Sequence, residues 1–273
     1  MIRPPAVAGT FYPLSTEDLN KAIANCFTRE FGAGTPKSKG EKVIAAVVPH
    51  AGYTYSGPVA TYIYKKLKNS ETKTYVILGP NHTGAGPAIS IMANGKWATP
   101  LGQVEIDAEL AARILSDFPD AEIDETAHVG EHSIEVQLPF LQYVAKDFKI
   151  VPICMMDQSP ATAISMGRAL ATACDDSVTV LASSDFTHFE PQPIASEKDH
   201  EAISAIEKLD IEKFYSILQN YSMSVCGYGP IIAAMAYAKE KGAKAGKLLQ
   251  YATSGDITGD KTSVVGYAAI EFE

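Results

Sequence analysis

Val43-Ile44-Ala45-Ala46-Val47-Val48, leading into Pro49-His50, is a continuous apolar run that stops at a turn. Tyr75-Val76-Ile77-Leu78 leads in the same way into Gly79-Pro80-Asn81-His82, and Val178-Thr179-Val180-Leu181-Ala182 into Ser183-Ser184-Asp185-Phe186-Thr187-His188. A short β-branched run with no polar alternation reads as a strand buried on both faces, as in a sheet covered by helices. Ligands of such sheets collect beyond the carboxyl ends of the strands. Three strand ends that each deliver an imidazole therefore point to a metal or acid/base site on one rim. Cys226, in Cys226-Gly227-Tyr228-Gly229-Pro230, is placed to add a thiolate.

Working outward, helical spacing of Leu19, Ala22, Ile23 and Cys26 predicts a helix over Ser15 to Phe27, with capping chemistry and first-turn acids at Thr16-Glu17-Asp18. Gly32 to Lys42 reads as a surface connector, and Gly57 to Leu67 as a helix between the first two strands. Ile89 to Val104 is expected to form a hairpin turning at Ala93-Asn94-Gly95-Lys96. Further helices are expected at Asp107 to Phe118, with an Asp N-cap, and at Ser133 to Ala145, bent by Pro139 unless that residue falls near a first turn. Lys149 to Cys154, Pro160 to Cys174 and Val178 to Ala182 make a strand-helix-strand unit. Helices at Ser196 to Leu209, Ile211 to Asn220 and Pro230 to Lys241 come next, then strands at Lys247 to Thr253 and Ser263 to Glu271. The last strand is nearly free of polar side chains and belongs deep in the sheet. The pattern is α/β: one domain over residues 1–273, a three-layer α/β/α sandwich around a mixed, mostly parallel sheet.

The bulk properties are those of an ordinary globular chain: 273 residues, 46% hydrophobic and 20% charged, which suffices for a sizeable core. A formal net charge of -9 and the lack of any Lys/Arg cluster argue against nucleic-acid binding. No apolar stretch reaches the roughly 18 residues of a membrane span, and Met1-Ile2-Arg3-Pro4-Pro5-Ala6 lacks a signal-peptide pattern, so the expected location is cytoplasmic. The four cysteines, Cys26, Cys154, Cys174 and Cys226, form no CxxC pair, against a zinc ribbon or a disulfide framework. Cys154 and Cys174 read as small buried hydrophobes.

Each candidate site residue has a plainer reading beside it. A lone histidine after a strand is commonly structural or solvated, but His50 and His82 both follow apolar runs beside a proline and reinforce one another. The plain reading of Cys226 is a buried free thiol; its flanking glycines favour an exposed turn, and Pro230 as the first residue of the next helix would bring a positive helix end that favours thiolate. Asp185 and His188 are spaced for a carboxylate to orient an imidazole, or for an N-cap and a solvated ring. His128 and His132 are four apart, but Val129-Gly130 interrupts any shared helix; His132 alone is placed at a helix start facing a cleft. His200 opens a charged face and reads as exposed. Tyr53 and Tyr55 follow His50 and either present a phenol to substrate or pack against the glycine turn. Hydrolase-elbow, phosphate-loop and HExxH signatures are absent.

As a set, Pro49-His50-Ala51-Gly52-Tyr53-Thr54-Tyr55-Ser56-Gly57, Leu78 to His82, Glu131-His132-Ser133-Ile134-Glu135-Val136-Gln137-Leu138-Pro139, Ser183 to His188 and Cys226 to Pro230 resemble the signature blocks of the Memo family, in the same order. The opening Arg3 to Pro13 matches too. The resemblance implies a fold similar to the class III extradiol dioxygenases, with a metal on His50, His82 and Cys226 and with Asp185, His188 and His132 lining the cleft. It also implies an AmmeMemoRadiSam context beside a radical-SAM protein, while eukaryotic relatives are linked to motility signalling, peptide binding and copper or iron handling. A cysteine where ring-cleaving dioxygenases carry a carboxylate departs from catechol chemistry, since a thiolate is itself oxidisable.

The leading expectation is a metal-dependent oxidoreductase acting on a small organic substrate. It would hold Fe(II) or copper on His50, His82 and Cys226, with His132 or His188 moving protons, Asp185 orienting His188, and Tyr55 at the substrate. The rivals are a non-catalytic module that holds a metal or a peptide in the same cleft, and a zinc hydrolase with three protein ligands and a water.

Overall fold

The computed structural model describes residues 1–29, 42–68 and 70–273; the expected connector from Gly32 lies, apart from Lys42, outside the described residues. Chain order begins β1 (Ile2–Arg3), α1 (Thr16–Thr28), β2 (Ala45–Val48), α2 (Gly57–Leu67), β3 (Thr74–Pro80), β4 (Ile89–Ile91), β5 (Lys96–Thr99) and β6 (Gly102–Ile106). It continues with α3 (Ala108–Asp117), β7 (Glu122–Ile123), α4 (Thr126–Val129), a 3-10 turn at Glu135–Gln137, α5 (Leu138–Val144), β8 (Lys149–Met155), α6 (Pro160–Ala173) and β9 (Val178–Ser183). The last elements are β10 (His188–Glu190), α7 (Gln192–Glu207), α8 (Ile211–Asn220), α9 (Tyr228–Glu240), β11 (Gly246–Thr253), α10 (Ser254–Thr258) and β12 (Val264–Phe272).

The sheet is mixed with a parallel centre, in the order β8, β3, β9, β2, and β12 closes against β2 antiparallel. Strand alternation supplies both faces. Val47, Val76, Leu78, Val151, Ile153, Val180 and Ala182 pack with α3, α6, α7, α8 and α9; Ala46, Val48, Tyr75, Ile77, Ile150 and Leu181 pack with α1, α2 and α5. This is the expected three-layer α/β/α arrangement. The final strand is buried between β2 and β11, as its composition requires.

Two local expectations change. The excursion after β3 is not one hairpin from Ile89: β4 pairs with β7 and β8, and the hairpin is β5 with β6, turning at Pro100-Leu101. Ile89 and Ile91 are wholly buried against the central sheet, and that burial outcompetes pairing across the Asn94-Gly95 turn. The expected Ser133 to Ala145 helix is a 3-10 turn followed by α5, whose first turn holds Pro139, where a missing N–H costs nothing.

Register explains why the polar turns meet. Val48 sits opposite Ser183 and Leu78 opposite Ala182, so the carboxyl ends of β2, β9 and β3 are level. The residues just beyond these strands, His50, Ser184-Asp185 and Asn81-His82, therefore land on one rim.

Helix α6 lies hard against α9 at Gly167, where an added Cβ would come within 2.4 Å of the Ala233 carbonyl oxygen and 2.6 Å of the Ala236 Cβ. Gly167→Ala should therefore lose about 1–3 kcal/mol by overpacking, despite alanine's better helix propensity. Urea unfolding of the variant against the parent chain measures this, and an unchanged or higher midpoint would contradict the packing argument.

Candidate metal centre

The donor nitrogens of His50, His82 and His132 lie within 4.8 Å of one another. Their rings enclose a small space: His50 meets His82 and His132 edge-on, with centroids 5.2 and 5.3 Å away, and His82 stacks on His132 at 4.5 Å. His50 and His82 come from the turns after β2 and β3, and His132 from the loop before the 3-10 turn. The sequence alone suggests a proton-moving role for His132; the geometry puts it among the nitrogen donors.

The Cys226 Sγ is 3.1 Å from His50 Nε2, on the opposite side of that imidazole from Ser183, and accepts the Asp185 N–H at 3.2 Å. Gly227 makes this approach feasible: a Cβ there would sit 2.4 Å from the Ser183 carbonyl oxygen, so no larger residue lets the turn close on the end of β9. Gln158 fastens the turn by donating to the Cys226 carbonyl and accepting the Gly229 N–H, both at 2.9 Å. The expected thiolate does not follow from the helix end. The helix begins at Tyr228, leaving Pro230 in its third position, and burial, then the nearby Asp185 charge, push the Cys226 thiol above its usual range. A coordinated cation would reverse this by deprotonating the sulfur.

Glu131, which sequence reasoning missed, organises the cluster. Its buried carboxylate accepts the His82 N–H at 2.7 Å, the Ser133 N–H at 2.8 Å and the His82 Nδ1 at 2.9 Å, and lies 3.6 Å from His132 Nδ1. With Nδ1 of His82 turned toward Glu131 and Nδ1 of His50 held 2.9 Å from Ser183 Oγ, the Nε2 atoms are left to face the centre. Burial works against a charged Glu131, but the His82 contacts and the two backbone N–H groups outweigh it and hold the carboxyl down at about 2. Burial and the neighbouring histidines keep His50 well below the usual imidazole range, and burial brings His132 down to about 4 despite Glu131. Neutral imidazoles backed by a carboxylate are what a metal-binding histidine needs. Nitrogen donors with an adjacent sulfur suit iron, copper or zinc, so the residues present fit such an ion.

The remaining candidates divide. Asp185 is buried, and that burial raises it; its oxygen accepts the His50 N–H at 2.7 Å, so it braces the His50 backbone rather than orienting His188. Ser224 does that work, accepting the His188 Nδ1–H on its carbonyl at 2.9 Å and the His188 N–H on its hydroxyl at 2.8 Å. His188 Nε2 is left with a lone pair. Tyr55 is 42% exposed, while Tyr53 is buried and donates to the Val136 carbonyl at 2.7 Å. His128 lies buried in α4, edge-on to Trp97, and His200 is exposed. Phe11 stands 4.6 Å from the His132 ring. Its segment is tied down through Glu135, which pairs with buried Arg3 and accepts the Tyr12 hydroxyl at 2.6 Å. Adjacency of a carboxylate to His132 was the available signal for Glu131, but its main partner, His82, is 49 residues away.

An α/β sheet that gathers imidazoles at the carboxyl rim of its parallel strands defines the class of protein. The family follows from comparison: the Memo-like protein model matches residues 3–271, and this chain belongs to that family. A MEMO1 family protein of Methanopyrus kandleri is 49% identical over 280 residues, covering 100% of this chain and 99% of that one. One from Methanocaldococcus jannaschii is 48% identical, with 98% of each chain covered, and one from Nitrosopumilus maritimus is 44% identical over the full length of both. Among solved structures, an uncharacterized protein of Escherichia coli K12 has the same fold, with a TM-score of 0.58 at 14% identity, covering 84% of this chain and 99% of that one.

Because Glu131 is held near 2 in the folded chain and returns to about 4.3 when unfolded, its stabilising contribution is complete above pH 4.3 and is lost as pH falls toward 2. Glu131→Gln should remove that pH-dependent part, on the order of 3 kcal/mol. Unfolding of the metal-free parent and variant compared between about pH 2.5 and 6 reads it; curves that stay parallel would refute the assignment.

Proposed function

We propose that this chain is a metal-dependent redox protein that acts on a small organic substrate. His50, His82 and Cys226 hold Fe(II) or copper, and His132 is a further donor at the same centre. The observation that carries this reading is the convergence of three imidazole nitrogens within 4.8 Å, with the Cys226 sulfur 3.1 Å from one of them. When bound, such an ion supplies Lewis acidity and one-electron chemistry.

The chain's own residues do the rest. His188, its Nδ1–H taken by Ser224, offers Nε2 as a proton acceptor at the cleft. Asp185 keeps the His50 backbone in place, and Tyr55, partly exposed beside the same turn, is available to a substrate. A cavity of about 490 Å³ lined by Phe11, Tyr12, Tyr53 and Asn25 is of a size for a small organic molecule; none of the site histidines lines it, and Phe11 joins it to the centre by standing against His132. No described helix is long and apolar enough to cross a membrane. The reading includes a cytoplasmic location and, from the acidic composition, no nucleic-acid partner; a radical-SAM protein as pathway partner comes from the Memo resemblance.

The three-histidine geometry itself favours a second reading, a zinc site with an open fourth position for hydrolysis. Elemental analysis of freshly purified chain separates the two. Loaded anaerobically with Fe(II) or Cu(I) and then exposed to oxygen, the parent chain should consume it with at least one of a panel of phenols and thiols. His50→Ala should lose both bound metal and oxygen uptake. Full zinc occupancy without redox metal supports the hydrolytic reading, and tight metal with no uptake on any substrate supports a non-catalytic metal- or peptide-binding module.

A further inference from the structure

Behind His50 runs a hydrogen-bond chain whose every proton is accounted for. Tyr64 and Gln137 are wholly buried, on α2 and the 3-10 turn, and the Tyr64 hydroxyl donates to Gln137 Oε1 at 2.5 Å. The Gln137 amide nitrogen donates to Ser183 Oγ at 2.8 Å and to the Pro49 carbonyl at 3.1 Å, with the Ser133 carbonyl at 3.4 Å. Flipping this amide would turn its oxygen onto the two carbonyls, which can only accept, so its orientation is determined by its neighbours.

Ser183 Oγ has one proton and two lone pairs. Its proton goes to the Ser133 carbonyl at 2.7 Å, an acceptor with nothing to give back. One lone pair takes the Gln137 N–H. The other faces His50 Nδ1 at 2.9 Å, and because the hydroxyl has no second proton to donate, Nδ1 must carry the hydrogen. His50 Nε2 then presents its lone pair toward Cys226, whose S–H can donate to it at 3.1 Å.

We propose that Ser183 and Gln137 are positioning residues that set the tautomer of His50, holding the hydrogen on Nδ1 and keeping Nε2 free as a donor atom. This rests on the metal-centre reading for its purpose, but not for its geometry. A hydroxyl with a free rotor would accept either tautomer; anchoring it between an amide donor and a carbonyl acceptor removes that choice. The ring with the wrong tautomer would aim an N–H at the ion, and partners of this kind typically matter about 10- to 100-fold in metal affinity.

The test reads the imidazole directly. Metal-free chain labelled with heavy nitrogen in histidine, examined by long-range proton–nitrogen correlation and assigned by the signals lost in His50→Gln, should show His50 protonated on Nδ1 alone. Ser183→Ala should transfer the hydrogen to Nε2, and Ser183→Thr, which keeps the hydroxyl, should restore the parent pattern. Gln137→Met, which fills the same space without donating, should give a mixture by freeing the Ser183 hydroxyl, and it serves if Ser183→Ala does not fold. Co(II) titration followed by visible absorbance should find Ser183→Ala about 10- to 100-fold weaker than the parent. An Nε2–H tautomer in the parent chain, or an Nδ1–H tautomer unmoved in the Ser183→Ala and Gln137→Met variants that fold, overturns the inference. The expected tautomers in a parent chain that binds no Co(II) would uphold the positioning and bring down the metal reading instead.

Discussion

A single buried carboxylate, that of Glu131, carries the arrangement on which the site depends. Itself fully buried, it accepts two backbone N–H groups and the partly exposed His82 imidazole, and hydrogen bonds to an ionised acceptor shielded in this way are stronger than neutral ones on the surface. It joins the turn after β3 to the loop before α5, a junction also made by the Ser133 hydroxyl, which donates to the Pro80 carbonyl at 3.4 Å. The carboxylate is itself supported from behind: buried Arg3 donates to the Glu131 carbonyl at 2.8 Å and to the His128 carbonyl at 2.9 Å while its guanidinium lies over Trp97. The N-terminal segment is thus part of the site's foundation, and Glu135 extends that support to Tyr12 and so to Phe11.

Each imidazole has a different partner behind it. His82 has a carboxylate, His50 a serine hydroxyl and His188 a backbone carbonyl. Carboxylate, hydroxyl and carbonyl alike can fix which ring nitrogen carries the hydrogen and how the ring is turned. His50 and His82, whose ring centroids stand 5.2 Å apart, thus have chemically unlike partners behind them.

Legibility in the sequence depends on how local the governing physics is. Buried strands announce themselves as unbroken apolar runs, and each of the three that end at histidines is a strand in the parallel centre of the sheet. The cap at Asp107 is visible for the same reason, since a cap is made within three residues of itself; the capping expected at Thr16-Glu17-Asp18 falls instead on Ser15, whose hydroxyl accepts the Asp18 N–H. The β4 pairing is not legible, because the choice between a local turn and a distant strand is made by burial of Ile89 and Ile91 against β8, which no window around Asn94-Gly95 contains. The protonation of Cys226 is hidden likewise: the helix end is local, but the burial that opposes it comes from β9 and from the Asp185 turn.

By itself the sequence determined the α/β class, the layered sheet with its buried final strand, the resemblance across five ordered motifs, and the residue types His50, His82, Asp185, His188 and Cys226 as candidates. Those rest on hydrophobic periodicity and side-chain chemistry, which are properties of neighbours along the chain. Only the tertiary structure decided that His132 joins His50 and His82, that Glu131 and Ser183 aim their rings, and that Ser224 rather than Asp185 holds His188. Hydrogen-bond partners separated by 36 to 133 residues are chosen by strand register and loop packing, and those are settled by the whole fold burying its apolar faces at once.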